Sequence, residues 1–250
     1  MFMMDRMFAT LMAALARLKY SPKTGWIRKY TNLLYYDPRM VVLGLYKLKT
    51  IEMNGCKFHA NESLEALRDM SGNPWLEGTK PEDTVLDLGA HIGVMCIPLA
   101  LKVKKVYAVE PLYAEELRQN IALNSLQNVE VWEMALGSGP PIHLWYRERK
   151  ATVPTLSLTE IRGRTGPIDF IKLNCEGGEW TVRPEEYMGI REIRLDYHVG
   201  WTDLKKREAG VRDLLSWLEG NGYALDVEYY NLGLNPQHKG RYQIMASRRM

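Results

Sequence analysis

Three short blocks hold the residues whose types and spacing suit chemistry. Asp87-Leu88-Gly89-Ala90-His91-Ile92-Gly93 closes an apolar run with an acid, then sets two glycines four apart. Gly89 and Gly93 lack a Cβ, so the backbone there can approach a ligand closely. Glu110, 23 positions beyond Asp87, closes a second apolar run and is followed by Pro111. Rossmann-like folds place a carboxylate at about this interval to hold ribose hydroxyls. The third block runs Lys172-Leu173-Asn174-Cys175-Glu176-Gly177-Gly178-Glu179, and His198 follows downstream. It supplies an ammonium, an amide, a thiol and carboxylates for acid–base work. The first block does not read G-x-G-x-x-G, which argues against a dinucleotide.

These blocks need strands and helices to position them. Val85–Leu88 reads as a strand that enters a glycine turn, and Val94, Ile97, Pro98, Leu99 and Leu101 continue at helical spacing. Val106–Glu110 is a second strand, Tyr113–Leu123 an amphipathic helix and Asn128–Ala135 a third strand. The chain breaks at Leu136–Pro141, and Ile142–Tyr146 reads as a short hairpin strand. Ile168–Asn174 and Ile190–His198 are the fourth and fifth core strands. Leu204–Leu218 is a helix ended by Gly220-Asn221-Gly222, and Tyr223–Tyr229 with Tyr242–Ser247 form a last strand pair around the polar loop Asn231–Gly240. This alternation predicts a doubly wound, mostly parallel α/β sheet, with the acids and glycines at its carboxyl ends.

The main domain is expected to span residues 75–250. Residues 1–74 form a basic helical extension, with helices at Met3–Lys19 and Asp37–Lys47, a hairpin over 50–60 with an Asn54-Gly55 turn, and a helix at Ser63–Met70. Residues 1–50 carry nine Lys/Arg against two Asp/Glu, whereas the other 200 carry 24 against 28. Trp26, Tyr30, Tyr35, Tyr36 and Tyr46 lie among Arg28, Lys29, Arg39, Lys47 and Lys49. Such a front either packs a helical layer with its cations outside or contacts an anionic surface, RNA or membrane. The apolar run Met7–Ala16 is too short to span a bilayer and its spacing suits an amphipathic helix better than a signal peptide. The three cysteines, Cys56, Cys96 and Cys175, form no C-x-x-C pair. No metal and no disulfide framework is expected, and a reducing, cytoplasmic setting fits.

Taken together, Thr84–Gly93 and Val106–Pro111 resemble the S-adenosylmethionine (SAM) site of a class I methyltransferase. SAM suits such a turn because its amino-acid end carries both an ammonium and a carboxylate. Within that class the chain resembles the FkbM family. The family's acid-x-Gly-Ala-Asn-x-Gly stands here as Asp87 to Gly93, and its Ile-Lys-x-Asp-x-Glu-Gly-x-Glu as Ile171 to Glu179. Its Thr-Leu-Asp stands as Thr155-Leu156-Ser157, and its acid-x-His as Asp196-Tyr197-His198. The sequence departs from the family at His91 (Asn there), Asn174 (Asp there) and Ser157 (Asp there). Losing two carboxylates speaks against a metal or a carboxylate base at those two positions.

The resemblance implies a Rossmann-like, seven-stranded methyltransferase fold and methyl transfer from SAM to a hydroxyl of a sugar or another small molecule. Asp87 with the backbone of Gly89, Ala90, His91 and Gly93 would hold the methionine part. Glu110, with Pro111 beside it, would take the ribose, and Glu133, Met134 and Ala135 would flank adenine. Lys172, Asn174, Glu176 and His198 are the catalytic candidates. Lys172 would either stabilise a developing anion or pair with Glu176 or Glu179 to order the loop. Cys175 reads as a small buried hydrophobe, not a nucleophile. Two further readings stand beside O-methylation: an RNA methyltransferase that uses the basic aromatic front, and a SAM-binding module without activity.

Overall fold

A computed structural model describes residues 50–53, 55–59, 74–146, 149–199, 204–230 and 241–248. The expected helices before residue 50, the helix at Ser63–Met70, Asn54 of the hairpin turn and the loop Asn231–Gly240 lie outside the described residues. The chain divides into two compact units, residues 1–53 with 57–71 and residues 54–56 with 72–250. Strands β1 (Thr50–Met53) and β2 (Cys56–His59) form a two-stranded sheet, and Gly55 between them has φ +73°.

The larger unit is built on β3 (Thr84–Leu88), β4 (Lys105–Val109), β5 (Val129–Trp132), β10 (Phe170–Leu173), β11 (Glu192–His198), β12 (Tyr223–Tyr230) and β13 (Arg241–Arg248). They make one seven-stranded sheet in the order β12-β13-β11-β10-β3-β4-β5. β11, β10, β3, β4 and β5 pair in parallel, and β13 runs antiparallel to both its neighbours. This is the mostly parallel sheet that the alternation predicts. β10 is buried along its whole length and β3 nearly so, as central parallel strands covered on both faces must be. Between them the sheet reverses its winding, and in open α/β sheets that switch point opens a crevice at the carboxyl ends.

Helices α1 (Cys96–Ala100), α2 (Ala114–Leu123), α3 (Leu158–Thr165) and α4 (Leu204–Gly220) complete the unit. α1 packs on β4, α2 on β5 and α4 on β12. The core gathers Leu86, Leu88, Ile171, Leu173, Ile193, Leu195 and Ile244 from the sheet with Ile161, Leu214 and Leu218 from the helices.

Two of the expected elements differ in extent. The third strand ends at Trp132 and does not run on to Ala135. The Met134 amide donates back to the Trp132 carbonyl at 3.0 Å, which turns the chain out of the sheet. Ala135–Leu136 then forms β6, paired in parallel with β9 (Thr155–Leu156). The helix after the glycine turn is also a short one, confined to Cys96–Ala100. Between β6 and β9 the chain forms a hairpin of β7 (Ile142–Tyr146) and β8 (Arg149–Val153).

Candidate active site

The glycine turn after β3 is held from three sides. Gly89 sits at φ +76°, and a Cβ there would lie 1.9 Å from the Asn174 carbonyl oxygen. Only glycine lets the β3 turn and the end of β10 touch. Asp87 and Lys172 are register partners on β3 and β10, so their side chains leave the same face. Lys172 Nζ lies 2.9 Å from Asp87 Oδ1, and it donates to the carbonyls of Gly89 at 2.7 Å and Leu88 at 3.3 Å. Burial pulls the Lys172 ammonium down, but the Asp87 carboxylate more than reverses this and raises it. An ammonium carries three donors, and here all three have acceptors in the chain itself. The loop-ordering role of Lys172 is therefore the one the geometry displays, with Asp87 as partner and not Glu176 or Glu179. Asp87 is fully buried, and its Oδ2 has no hydrogen-bond partner.

Glu110 secures the other side of the turn. Its Oε2 accepts from the His91 amide at 2.8 Å, and its Oε1 accepts from the amides of Leu112 at 2.7 Å and Tyr113 at 3.0 Å. Burial raises the Glu110 carboxyl above its ordinary range, against the pull of those three donors. Four lone-pair sites less three amides leave it one acceptor direction. The amides of Gly89 and Ala90 donate to the Val109 carbonyl, and the Gly93 amide donates to the Ala90 carbonyl. Asn120 of α2, also buried, donates to the Ile92 carbonyl at 2.9 Å. His91 itself is left-handed at φ +50°, with its ring 4.2 Å from that of Tyr113. Asn and His are among the residues that tolerate this region best, so the His-for-Asn departure keeps the turn.

Pro111 follows Glu110 in the bend that leads into α2, and the β7–β8 hairpin reaches this side of the turn. Tyr146 lies 6.4 Å from both the His91 and Tyr113 rings, and Arg149 stacks 4.1 Å over Tyr113. Arg149 also pairs with Glu116 and donates to the Leu112 carbonyl at 2.9 Å. No local spacing in the sequence marks this wall, because its aromatic and cationic residues are spread over separate elements. The expected adenine flank is split. Glu133 is exposed and paired with Arg118 at 3.3 Å, Met134 packs against the core, and Ala135 belongs to β6.

On the other side of β10 lie the groups considered for acid–base work. Glu179 is fully buried and accepts from the Gly177 amide at 2.9 Å, the His198 amide at 2.8 Å and His198 Nδ1 at 2.7 Å. His198 Nε2 lies 3.6 Å from Glu176 Oε2. Burial works against the His198 imidazolium, but the Glu179 bond and the nearby acids outweigh it and push the ring up to about 9. A ring raised this far carries a proton on each nitrogen at neutral pH, donating from Nδ1 to Glu179 and lying in ion-pair range of Glu176 at Nε2, so it holds no lone pair with which to act as a base. Glu176 is left-handed at φ +51° and about one-third exposed. A strained, part-exposed carboxylate at the sheet's carboxyl end is well placed to meet a ligand. Burial raises the Cys175 thiol well above its usual range, so it is no thiolate at neutral pH.

Asn174 and Asp196 meet beside this group. Asn174 Nδ2 donates to Asp196 Oδ2 at 3.1 Å, and Arg241 Nη1 reaches the same oxygen at 3.2 Å. Ser157, the third departure, is the N-cap of α3 and forms a capping box with Glu160. An Asp would cap the same helix, so the role of that position here is structural. No group of three or more potential metal ligands occurs among the described residues. None of the described helices is long and apolar enough to cross a membrane.

No protein-family profile matches the chain. Among curated proteins it is 36% identical over 86 residues to a probable ribosomal RNA small subunit methyltransferase A of Methanosphaera stadtmanae, covering 32% of each protein. The match thus spans about a third of that relative's length. Among solved structures, a putative transferase of Pyrococcus horikoshii superposes with a TM-score of 0.50 at 17% identity, covering 92% of this chain and 86% of that one. A putative methyltransferase of Streptococcus mutans, solved in complex with SAH (S-adenosylhomocysteine), superposes with a TM-score of 0.50 at 11% identity, covering 72% and 97%. With the sheet order and the switch-point crevice, these likenesses establish that the chain has the Rossmann-like class I methyltransferase fold.

Proposed function

We propose that the protein is a SAM-dependent methyltransferase, and that its acceptor is an RNA. The observation that carries the cofactor reading is the turn clasped between Glu110 and Lys172. It presents glycine backbone at the switch point, with a buried carboxylate 23 residues on. Lys172 is neutralised by Asp87 and His198 by Glu179, which leaves the carboxylates of Glu110 and Glu176 to set the sign of the crevice. An anionic crevice favours a sulfonium cation over a neutral or anionic nucleotide. Asp87 and the backbone from Gly89 to Gly93 would hold the methionine part, and Glu110 would take one ribose hydroxyl with its remaining lone pair. The hairpin wall of Tyr146 and Tyr113 would border the ribose side.

The RNA acceptor is supported by the ribosomal RNA methyltransferase relative and by the basic aromatic front of the chain. The small-molecule hydroxyl implied by the FkbM motifs has only those motifs behind it. Transfer is an in-line displacement at the methyl carbon, so most of the catalytic contribution is positioning.

The test is titration calorimetry with SAM, followed by incubation with labelled SAM and separate RNA and glycan pools. We expect SAM to bind, the Glu110→Gln substitution to weaken it about tenfold or more, and label to enter RNA. Unchanged affinity in Glu110→Gln would reject its role. Label in glycan alone would restore the hydroxyl reading, and binding without transfer to either pool would favour a SAM-binding module.

A further inference from the structure

Two buried oxygens at the carboxyl ends of β10 and β11 have no hydrogen-bond donor: Oδ1 of Asn174 and Oδ1 of Asp196. They belong to one side-chain pair, since Asn174 Nδ2 donates to Asp196 Oδ2 at 3.1 Å. That bond also fixes the amide's orientation: turned over, its oxygen would face a carboxylate oxygen, which repels it. A buried acceptor left unsatisfied is costly, and native chains rarely keep one without a ligand or water to fill it. Two in one pair, on β11 and on the residue whose backbone carbonyl abuts Gly89, form a pair of acceptors for donors from a ligand.

We infer that Asn174 and Asp196 together receive an amino group of the methyl acceptor, and that Asp196 takes its proton. This rests on the SAM reading above. Two orphan oxygens call for two donors, which an amino group has and a hydroxyl lacks. In the step, the amine lone pair forms the new nitrogen–carbon bond and the carbon–sulfur bond breaks. Its electron pair stays on sulfur, and the proton released from nitrogen passes to Asp196 Oδ1. Arg241, at 3.2 Å from Oδ2, keeps the carboxylate in place for this. Burial raises the Asp196 carboxyl although Arg241 opposes it, which brings it closer to the working pH of a proton acceptor. Asn174 stands where the family carries an acid. A second carboxylate there would repel Asp196, whereas the amide donates to it and still offers an oxygen.

The test needs no knowledge of the acceptor. Sinefungin carries an amine where SAM carries its methyl group, whereas SAH carries nothing there. Calorimetric titration of the full-length protein should show sinefungin binding about tenfold to a hundredfold tighter than SAH. Asp196→Asn and Asn174→Ala should each remove most of that advantage while leaving SAH affinity within about twofold. The SAH titration shows in each case that the variant is folded. Sinefungin no tighter than SAH in the unsubstituted protein, or an advantage that survives both substitutions, overturns the inference. Failure to bind SAH at all would instead bring down the cofactor reading on which it rests.

Discussion

At the scale of single residues, charges in this site mostly hold the scaffold. Lys172 and Asp87 are the clearest case. Removing one partner of a buried pair leaves the other uncompensated, whereas removing both leaves an apolar contact. Lys172→Met should therefore destabilise the protein by about 3–5 kcal/mol in urea unfolding. The double substitution with Asp87→Leu should recover most of that loss; a double variant as unstable as the single one would refute the pairing argument. His198 makes a prediction in pH. Its folded value is raised to about 9 from 6.5 by Glu179, with Glu176 and Asp196 also facing it. Its stabilising contribution is therefore complete below pH 6.5 and is lost as pH rises through 9. The loss amounts to about 3 kcal/mol at most. Buried tyrosines and cysteines also titrate at high pH, so the measurement is the difference between the protein and its His198→Gln variant. That difference should shrink between pH 6 and pH 9.5, and a constant gap would show that the ring is not charged in the fold.

At the scale of elements, the sequence was legible wherever an apolar run ended in a chemical group. β3, β4, β10 and β11 lie where the pattern predicts them, because buried parallel strands read as continuous apolar stretches, and the antiparallel pair β12 and β13 lies at the two predicted last runs. The residues of the candidate site stand out in the same way, as Asp87, Glu110 and the Lys172–Glu179 block. Pairings were harder to read. That Lys172 chooses Asp87 over Glu176 follows from the register of β3 on β10, which no local spacing encodes. α3 escaped notice because Thr159, Glu160, Arg162, Gly163 and Arg164 leave only Leu158 and Ile161 buried, so it shows no apolar stripe. Its start was nonetheless written in Ser157 and Glu160. Ser157→Ala should cost about 1 kcal/mol, measured as a shift in the thermal midpoint, with SAM affinity unchanged. The meeting of β3 and β10 is less forgiving. At Gly89 the intruding methyl would meet backbone, so Gly89→Ala should abolish SAM binding or folding altogether; a stable, SAM-binding alanine variant would contradict the close approach.

At the scale of the whole molecule, the proposed donor site and the charge that would attract an RNA lie in different parts of the sequence. The sheet's carboxyl ends hold the groups suited to the methyl donor, and their charges are largely paired. The surplus positive charge lies in the first 50 residues, at nine basic against two acidic, while the remainder carries a slight excess of acids. A polyanion would therefore be drawn to the front of the chain and not to the acidic body. If that front meets RNA phosphates, affinity must fall as salt rises, by roughly 0.7 logarithmic units per tenfold salt for each phosphate contacted on a single strand. Replacing Arg28 and Lys29, which sit between Trp26 and Tyr30, with alanine should then flatten the salt dependence of RNA binding by about 1–1.5 in slope. SAM affinity should not change, because the donor site uses neither residue. An unaltered slope together with weaker binding would mean that the two cations act by packing the front and not by touching phosphate. Acceptor recognition would then have to come from the sheet's own rim, where the Tyr146–Arg149 wall of the hairpin adjoins the glycine turn.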